Sequence, residues 1–398
     1  MVSAALGSSV DETLLTVNMS GTAEDRLVPT IRGDQSTISR QQRTEILDRL
    51  DQECRVVREC GYNPATGELI RLALELERRG HTLFLEGAAA GSTLFYVAGL
   101  TPINPSEHGL LSERFVATSS NAGSRQFESS DDAPFDFMSA QVSMSRSDLL
   151  TLLRQRGYGL GVETDTIPGY PTRTITAAMQ GTHAAGPTIR LAIETTELAV
   201  LSNSLGSVSP DSLEQDCQAW NLLASGNTDG IEPLESPAAQ IALRTQKPRS
   251  LLALAEVLVA SRGNAFDVAE EPVIYQEDLM ALVHDRLGTG LRTAWSLITI
   301  LARPESSQRP EARKWFFGES GGKAAQNDGL EQLWALLSEQ APGAVCKAHY
   351  LALAFHCLRA AYLKSHYPGD FRGVLAAMRS SQCLYHSSTS KKSSPTRR

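Results

Sequence analysis

Beyond residue 205 the sequence stops alternating between strand-like and helix-like patterns and reads almost wholly as helix. This change constrains the fold more than any other feature. A chain that mixes strands and helices in one stretch and then runs helical must build an α+β unit and a helical unit around separate apolar faces. In the second stretch helices fit residues 250–261, stopped by Gly263, then 277–287, 291–302, 330–339 and 346–365, the last halted by Pro368. Ser212-Leu213-Glu214-Gln215 has the S-x-x-Q form of a capping box.

The first stretch is less regular. Residues 1–40 mix Ser, Thr, Gly, Asp and Arg without an apolar period and are expected to form a poorly ordered arm. From Thr44 apolar residues recur at helical spacing, and a second helix over 68–79 is closed by Gly80. A short strand at 82–85 runs into Glu86-Gly87-Ala88-Ala89-Ala90-Gly91-Ser92 and then a helix-compatible run, 93–100. A strand, small-residue turn and helix can offer backbone N–H groups to a phosphate, although the same small residues also serve a tight, closely packed turn. Residues 117–132 form a loop, 148–156 a short helix, 164–171 a turn-rich stretch, 189–193 a strand and 195–205 a helix.

At 398 residues the chain has room for two or three domains. Divided at these pattern changes, it comprises an arm (1–43), a mixed unit (44–205), a helical unit (206–380) and a tail (381–398). Its 37 Lys+Arg against 45 Asp+Glu leave a net −8, which argues against a uniformly basic coat for non-specific nucleic-acid binding. The last twelve residues carry Lys391, Lys392, Arg397 and Arg398 and no acid, so the remainder carries −12. Six cysteines form no CxxC pair and no zinc-finger spacing, which fits reduced thiols. There is no apolar run of membrane-spanning length and no signal-peptide pattern, so a cytoplasmic protein is expected, with no membrane partner.

Five blocks, in order, resemble the bacterial replicative DNA polymerase III alpha subunit. Leu85 to Ser92, followed by Tyr96 to Pro105 and Gly109 to Phe115, is similar to that family's GRGSAAGS, YxLGITxIDP and GLLFERF. Gly226 to Ser236 resembles GDTxGVFQLES, Val273 to Met280 resembles VYQEQVM, and Lys347-Ala348-His349 with Ala361 to Pro368 resembles NKSHAAAY with AYLKAHYP. The resemblance implies a nucleotidyltransferase-type mixed palm followed by an all-α fingers domain. It also implies a palm-fingers remnant, with no N-terminal phosphoesterase-like domain, most of the thumb deleted and no clamp-binding region. DNA and replication or repair proteins are the implied partners, and Mg²⁺ is the cofactor if activity remains.

Two-metal nucleotidyl transfer requires carboxylates at i and i+2 on one strand face, because alternate strand residues point the same way. The family supplies PDxDxDF and a later Asp. The stretch matched here is Ala133-Pro134-Phe135-Asp136-Phe137-Met138-Ser139, in which Asp136 is the single acid, flanked at i±2 by Pro134 and Met138. Glu194 stands for the later Asp, 58 positions on, an interval too short for the family's thumb. Asp131 and Asp132 are adjacent loop acids. Asp136 and Glu194 are therefore the catalytic and metal-binding candidates. For phosphate the candidates are Gly87, Gly91, Ser92, Arg303, Lys347 and His349. Glu86 reverses the charge of the Arg in GRGS, Ala88 replaces its Ser, and Ile298 and Thr299 stand where the family has two triphosphate-gripping Arg residues. Arg303, Lys347 and Lys364 also suit helix-terminal charge pairing, and His349 suits a half-buried structural histidine. The pattern predicts a degenerate member lacking templated synthesis. Two rivals stay open: an active metal-dependent DNA polymerase, and a protein-interaction module.

Overall fold

The computed structural model describes residues 40–59, 62–114, 137–167, 170–179, 189–195, 197–205, 208, 210–261, 275–320 and 328–377. The expected loop at 117–132 and the basic tail lie outside these residues, as does the arm up to residue 39. Helices α1 (Arg40–Glu59) and α2 (Asn63–Arg78) lead into strand β1 (Leu83–Glu86), a 3-10 turn (Gly87–Gly91) and the short α3 (Thr93–Val97). Then come β2 (Phe137–Val142), α4 (Arg146–Gln155), β3 (Gly159–Ile167), β4 (Tyr170–Met179), β5 (Ile189–Thr195) and α5 (Glu197–Ser204). The rest is helical: α6 (Pro210–Glu214), α7 (Cys217–Ala224), α8 (Pro237–Gln246), α9 (Leu251–Ala260), α10 (Gln276–Leu287), α11 (Leu291–Leu301), α12 (Arg309–Ser320), α13 (Asp328–Gln340) and α14 (Lys347–His366). The fold is mixed α+β, mostly helical with one small sheet.

The sheet has the order β1-β2-β5-β4-β3, with β2 and β5 parallel and the other pairs antiparallel. Strand β2 alternates strictly: Met138, Ala140 and Val142 are buried, whereas Ser139 and Gln141 point to the opposite face. The buried set packs with Leu83, Leu85, Leu191 and Ile193 against α1, α2 and α4 in one apolar core. The second core is built around α14 and includes α7, α8 and α9. The third joins α10, α11, α12 and α13. Helix α14 buries eleven residues from Ala348 to Leu363, distributed around its circumference, and so runs through the interior as a central helix.

Two local expectations change. The stretch 164–171 is not mainly turn: it is the facing ends of β3 and β4, paired from Gly159↔Ala178 to Ile167↔Tyr170. The alternating Thr164, Thr166, Thr172, Thr174 and Thr176 are β-branched strand formers, and only Pro168-Gly169 between them carries the turn signal. Ser212 sits inside α6 and opens no helix. The cap is Asp216, whose side chain accepts from Ala219 N at 2.7 Å at the start of α7. Ser250 does cap its helix, accepting from Ala253 N at 3.2 Å. Among the described residues no helix is long and apolar enough to cross a membrane.

Candidate functional site

Strand register brings the polar face together. Residues opposite one another in a sheet share a face, so Ser139 lies beside Glu86 of β1 and Gln141 beside Glu194 of β5. Phe84 is on this face too, opposite Gln141. Helix α14 covers it: Phe355 meets the Phe84 ring edge-on at 5.8 Å, and His356 lies tilted against the same ring at 6.4 Å. Arg359, one turn further along, donates from Nη2 to Gln141 Oε1 at 2.9 Å, with its guanidinium 5.9 Å from the centre of Phe84. His356 Nε2 is 3.5 Å from Glu86 Oε1.

The charges here are strongly perturbed. Burial, reinforced by Glu194, pushes the Glu86 carboxyl up to about 7, with Arg359 opposing. Glu194 is also raised, by burial and then by Glu232. Burial and Arg359 together push His356 down to about 3, so its ring is neutral at pH 7. Arg359 itself drops to about 10 through burial, with Glu86 pulling the other way.

Glu194 is the one sequence-predicted catalytic candidate that the structure places on this face; Asp136, Asp131 and Asp132 lie outside the described residues. The i, i+2 pair that β2 presents towards Glu194 is Ser139 and Gln141, one hydroxyl and one amide. This set does not fit a pair of divalent cations. Such ions take several anionic oxygens, whereas Gln141 spends its carbonyl oxygen on Arg359 and a guanidinium already stands among the acids. Among the described residues no group of three or more His, Cys, Asp or Glu is disposed to hold a metal.

The turn after β1 is likewise engaged internally. Glu53 of α1 is 1% exposed and accepts from Ser92 Oγ at 2.6 Å, Thr93 N at 2.8 Å and Leu94 N at 3.0 Å. A carboxylate from the chain itself thus meets the N–H groups that a phosphate would use. Ser92 also caps α3, accepting from Phe95 N at 3.3 Å. Gly87 has φ of +66°, and a Cβ on Gly91 would stand 3.1 Å from Ala348 Cβ, so both glycines serve the turn and its approach to α14.

The helical candidates have comparable engagements. Lys347 opens α14, where its N–H donates to the buried Glu277 at 3.0 Å and its ammonium lies 5.4 Å from the Tyr275 ring centre. His349 stacks edge-on against Tyr350 at 5.1 Å. Lys364 Nζ bonds Asn227 O, Asn227 Oδ1 and Asp229 O at 2.8 to 3.0 Å, and His366 Nε2 contacts Asp216 at 2.9 Å. Arg303 follows α11, its N–H bonding Ile300 O at 3.3 Å. Ile298 is fully buried, and Thr299 Oγ1 donates back to Trp295 O at 3.0 Å. Arg114 docks between the two parts of the chain, 3.9 Å above the Trp295 ring and 2.9 Å from Gln276 Oε1.

Sequence reasoning missed Ser139, Gln141, His356, Arg359, Glu53 and Glu277. A signal existed for the first two, because residues 137–142 alternate at period two. Another existed for Arg359, a permanent cation inside the apolar run of α14.

Residues 21–122 match the family described as the bacterial DNA polymerase III alpha NTPase domain. The DNA polymerase III subunit alpha of Halalkalibacterium halodurans is 22% identical over 189 residues, covering 41% of this chain. Over these residues the chain is similar to the DNA polymerase III alpha subunit. The family match contains β1, the 87–91 turn, α3 and Glu53, and begins at residue 21, inside the segment expected to be an arm without pattern. β2, β5 and α14, which complete the polar face, fall beyond it. The alignment spans 17% of the length of that curated relative.

Proposed function

We propose that this DNA polymerase III alpha-like chain retains a palm and fingers scaffold, does not carry out templated DNA synthesis, and acts as an accessory to DNA replication or repair in the cytoplasm. One observation carries the reading. The sheet face on which two-metal transfer would require a cluster of carboxylates presents Ser139, Gln141, Glu86 and Glu194, with the Arg359 guanidinium bonded to Gln141. Supporting it, the positions where the resemblance places triphosphate-gripping cations are a buried Ile298 and a Thr299 turned onto its own helix. Each lost transition-state contact costs about 10²-fold or more in rate.

The expected result in a primer-extension assay with Mg²⁺ or Mn²⁺ is no product above background. Extension that disappears on Asp136→Asn or Glu194→Gln, in variants that still fold, would restore the polymerase reading. DNA association is tested in the same preparation by titrating duplex and primer-template at two salt concentrations. Affinity should fall as salt rises, through counterion release, and deletion of 387–398, with its four cations, should flatten that dependence. Absence of binding at low salt would instead favour a protein partner.

A further inference from the structure

Helices α2 and α4 pack on the side of the sheet turned away from α14, and their C-terminal ends meet at a single carboxylate. Arg79 reaches Glu75 through Nε and Nη2, each 2.8 Å from Oε1, while Arg156 Nη2 lies 3.2 Å and Arg78 Nη1 3.9 Å from Oε2. The Arg79 hydrogen bond, then the charges of Arg156 and Arg78, hold this carboxyl below its ordinary value against the opposing effect of burial. Three guanidiniums thus share one negative charge, in a chain whose net charge is −8. We propose that Arg78, Arg79 and Arg156 form a docking surface for the phosphodiester backbone of duplex DNA, gripping it without reading its sequence. The proposal rests on the DNA association inferred above and gives it a surface apart from both the polar face and the basic tail.

Exposure separates the roles. The carboxylate is recessed, with 18% of its side chain exposed, whereas Arg78, Arg79 and Arg156 keep 50%, 46% and 40% open to solvent. A guanidinium carries its N–H donors in a planar fork, and the contacts to Glu75 engage only part of each, so the remaining edges can take a phosphate bidentately. A nucleic-acid backbone supplies such oxygens in series to cations gathered at two helix ends. Glu68, two turns back along α2, does not neutralise the cluster, because it pairs with Arg71 at 2.7 Å and accepts from the Tyr158 hydroxyl at 2.6 Å. Helix C-termini attract cations, which is the ordinary reason for arginines here, but each end is worth only about half a negative charge. Two ends therefore offset about one of the two surplus positive charges, and the patch stays cationic.

Affinity of the full chain for two duplexes of unrelated sequence is measured by fluorescence anisotropy between about 50 and 200 mM NaCl. Arg78→Gln combined with Arg156→Gln keeps the Arg79–Glu75 bond, the shortest of the set, so the Tm should stay within about 2 °C of wild type. This double variant should bind both duplexes about tenfold or more weakly at the lower salt, with the slope of log affinity against log salt reduced by about two. Should it be unstable, Arg78→Gln alone, at the most exposed of the three sites, carries the test with a slope change of about one. Glu75→Gln, which removes the competing carboxylate, should bind more tightly and with a steeper slope. Losing two cations elsewhere, Arg286→Gln with Arg372→Gln at exposed positions of the helical unit, should change little. An equal loss there would reduce the effect to net charge and overturn the proposal. Wild-type binding that vanishes on deleting 387–398 yet ignores the patch variants would overturn it while leaving DNA association standing, whereas absence of wild-type binding at low salt overturns both. A patch that serves an acidic protein would instead capture poly-glutamate, lose it in the double variant and leave duplex affinity unchanged, and that result also overturns the proposal.

Discussion

Replacing Glu53 with Ala should destabilise the protein by about 3–5 kcal/mol, because it strands three donors that no solvent reaches. Ser92 Oγ, Thr93 N and Leu94 N all converge on this carboxylate, and the Ser92 hydroxyl is itself the cap of α3. The damage would therefore spread from α1 to the turn after β1 and to α3, three elements sharing the first core. In a melting experiment the Tm should fall by roughly 6–15 °C. Glu53→Gln keeps the shape but turns an NH₂ group towards donors, so its loss should be smaller yet still clear. Burial raises the Glu53 carboxyl above its ordinary value, so the folded state favours the protonated form and this group's contribution weakens as pH rises above 4.5. A neutral Glu53→Ala substitution, with Tm unchanged within about 2 °C, would show that water replaces the carboxylate and that the turn remains open to anions.

Gly226→Ala is the second change expected to be severe. Gly226 has φ of +70°, and an added Cβ would stand 2.6 Å from Arg244 Nη1 and 2.9 Å from the Gln240 backbone oxygen. The arginine tip could swing aside. The carbonyl belongs to α8 and cannot, so the loop must move. That loop is clamped at its next residues, where Lys364 bonds Asn227 and Asp229 and Thr228 Oγ1 donates to Leu234 O at 2.6 Å. At Gly230, φ of +85° and a Cβ position 2.9 Å from the Phe371 ring impose the same demand at the other end. Strain of about 1–3 kcal/mol combined with the loss of the Lys364 clamp should bring the cost of Gly226→Ala to about 3 kcal/mol or more, read by chemical denaturation. Lys364→Met should cost less, since the ammonium is partly exposed and water can solvate the freed carbonyls. If Gly226→Ala unfolds at the wild-type denaturant concentration, the block resembling GDTxGVFQLES holds its glycines for some reason other than backbone geometry.

Much of the architecture follows directly from the sequence. Helical periodicity after residue 205 located the run of helices, because a helix that packs must repeat its apolar residues near 3.6 whatever it packs against, and Ser250 marked a true helix start. The strand, small-residue turn and helix at 82–97 were likewise legible, since glycine and alanine in that order leave few other conformations. The strand expected at 189–193 is present and runs on to Thr195, so it carries Glu194, which the local pattern leaves between strand and helix. What the tertiary structure decided was which groups meet. The Ser139–Glu86 and Gln141–Glu194 pairings depend on strand register, which joins residues more than fifty positions apart and leaves no local trace. Arg359 reaches Gln141 across 218 positions, and Glu53 reaches the 92–94 turn across about forty. The sequence places Glu86 at the end of a short strand; only packing shows that α14 brings the Arg359 guanidinium to Gln141 on the same sheet face, because that contact is made through space, not along the chain.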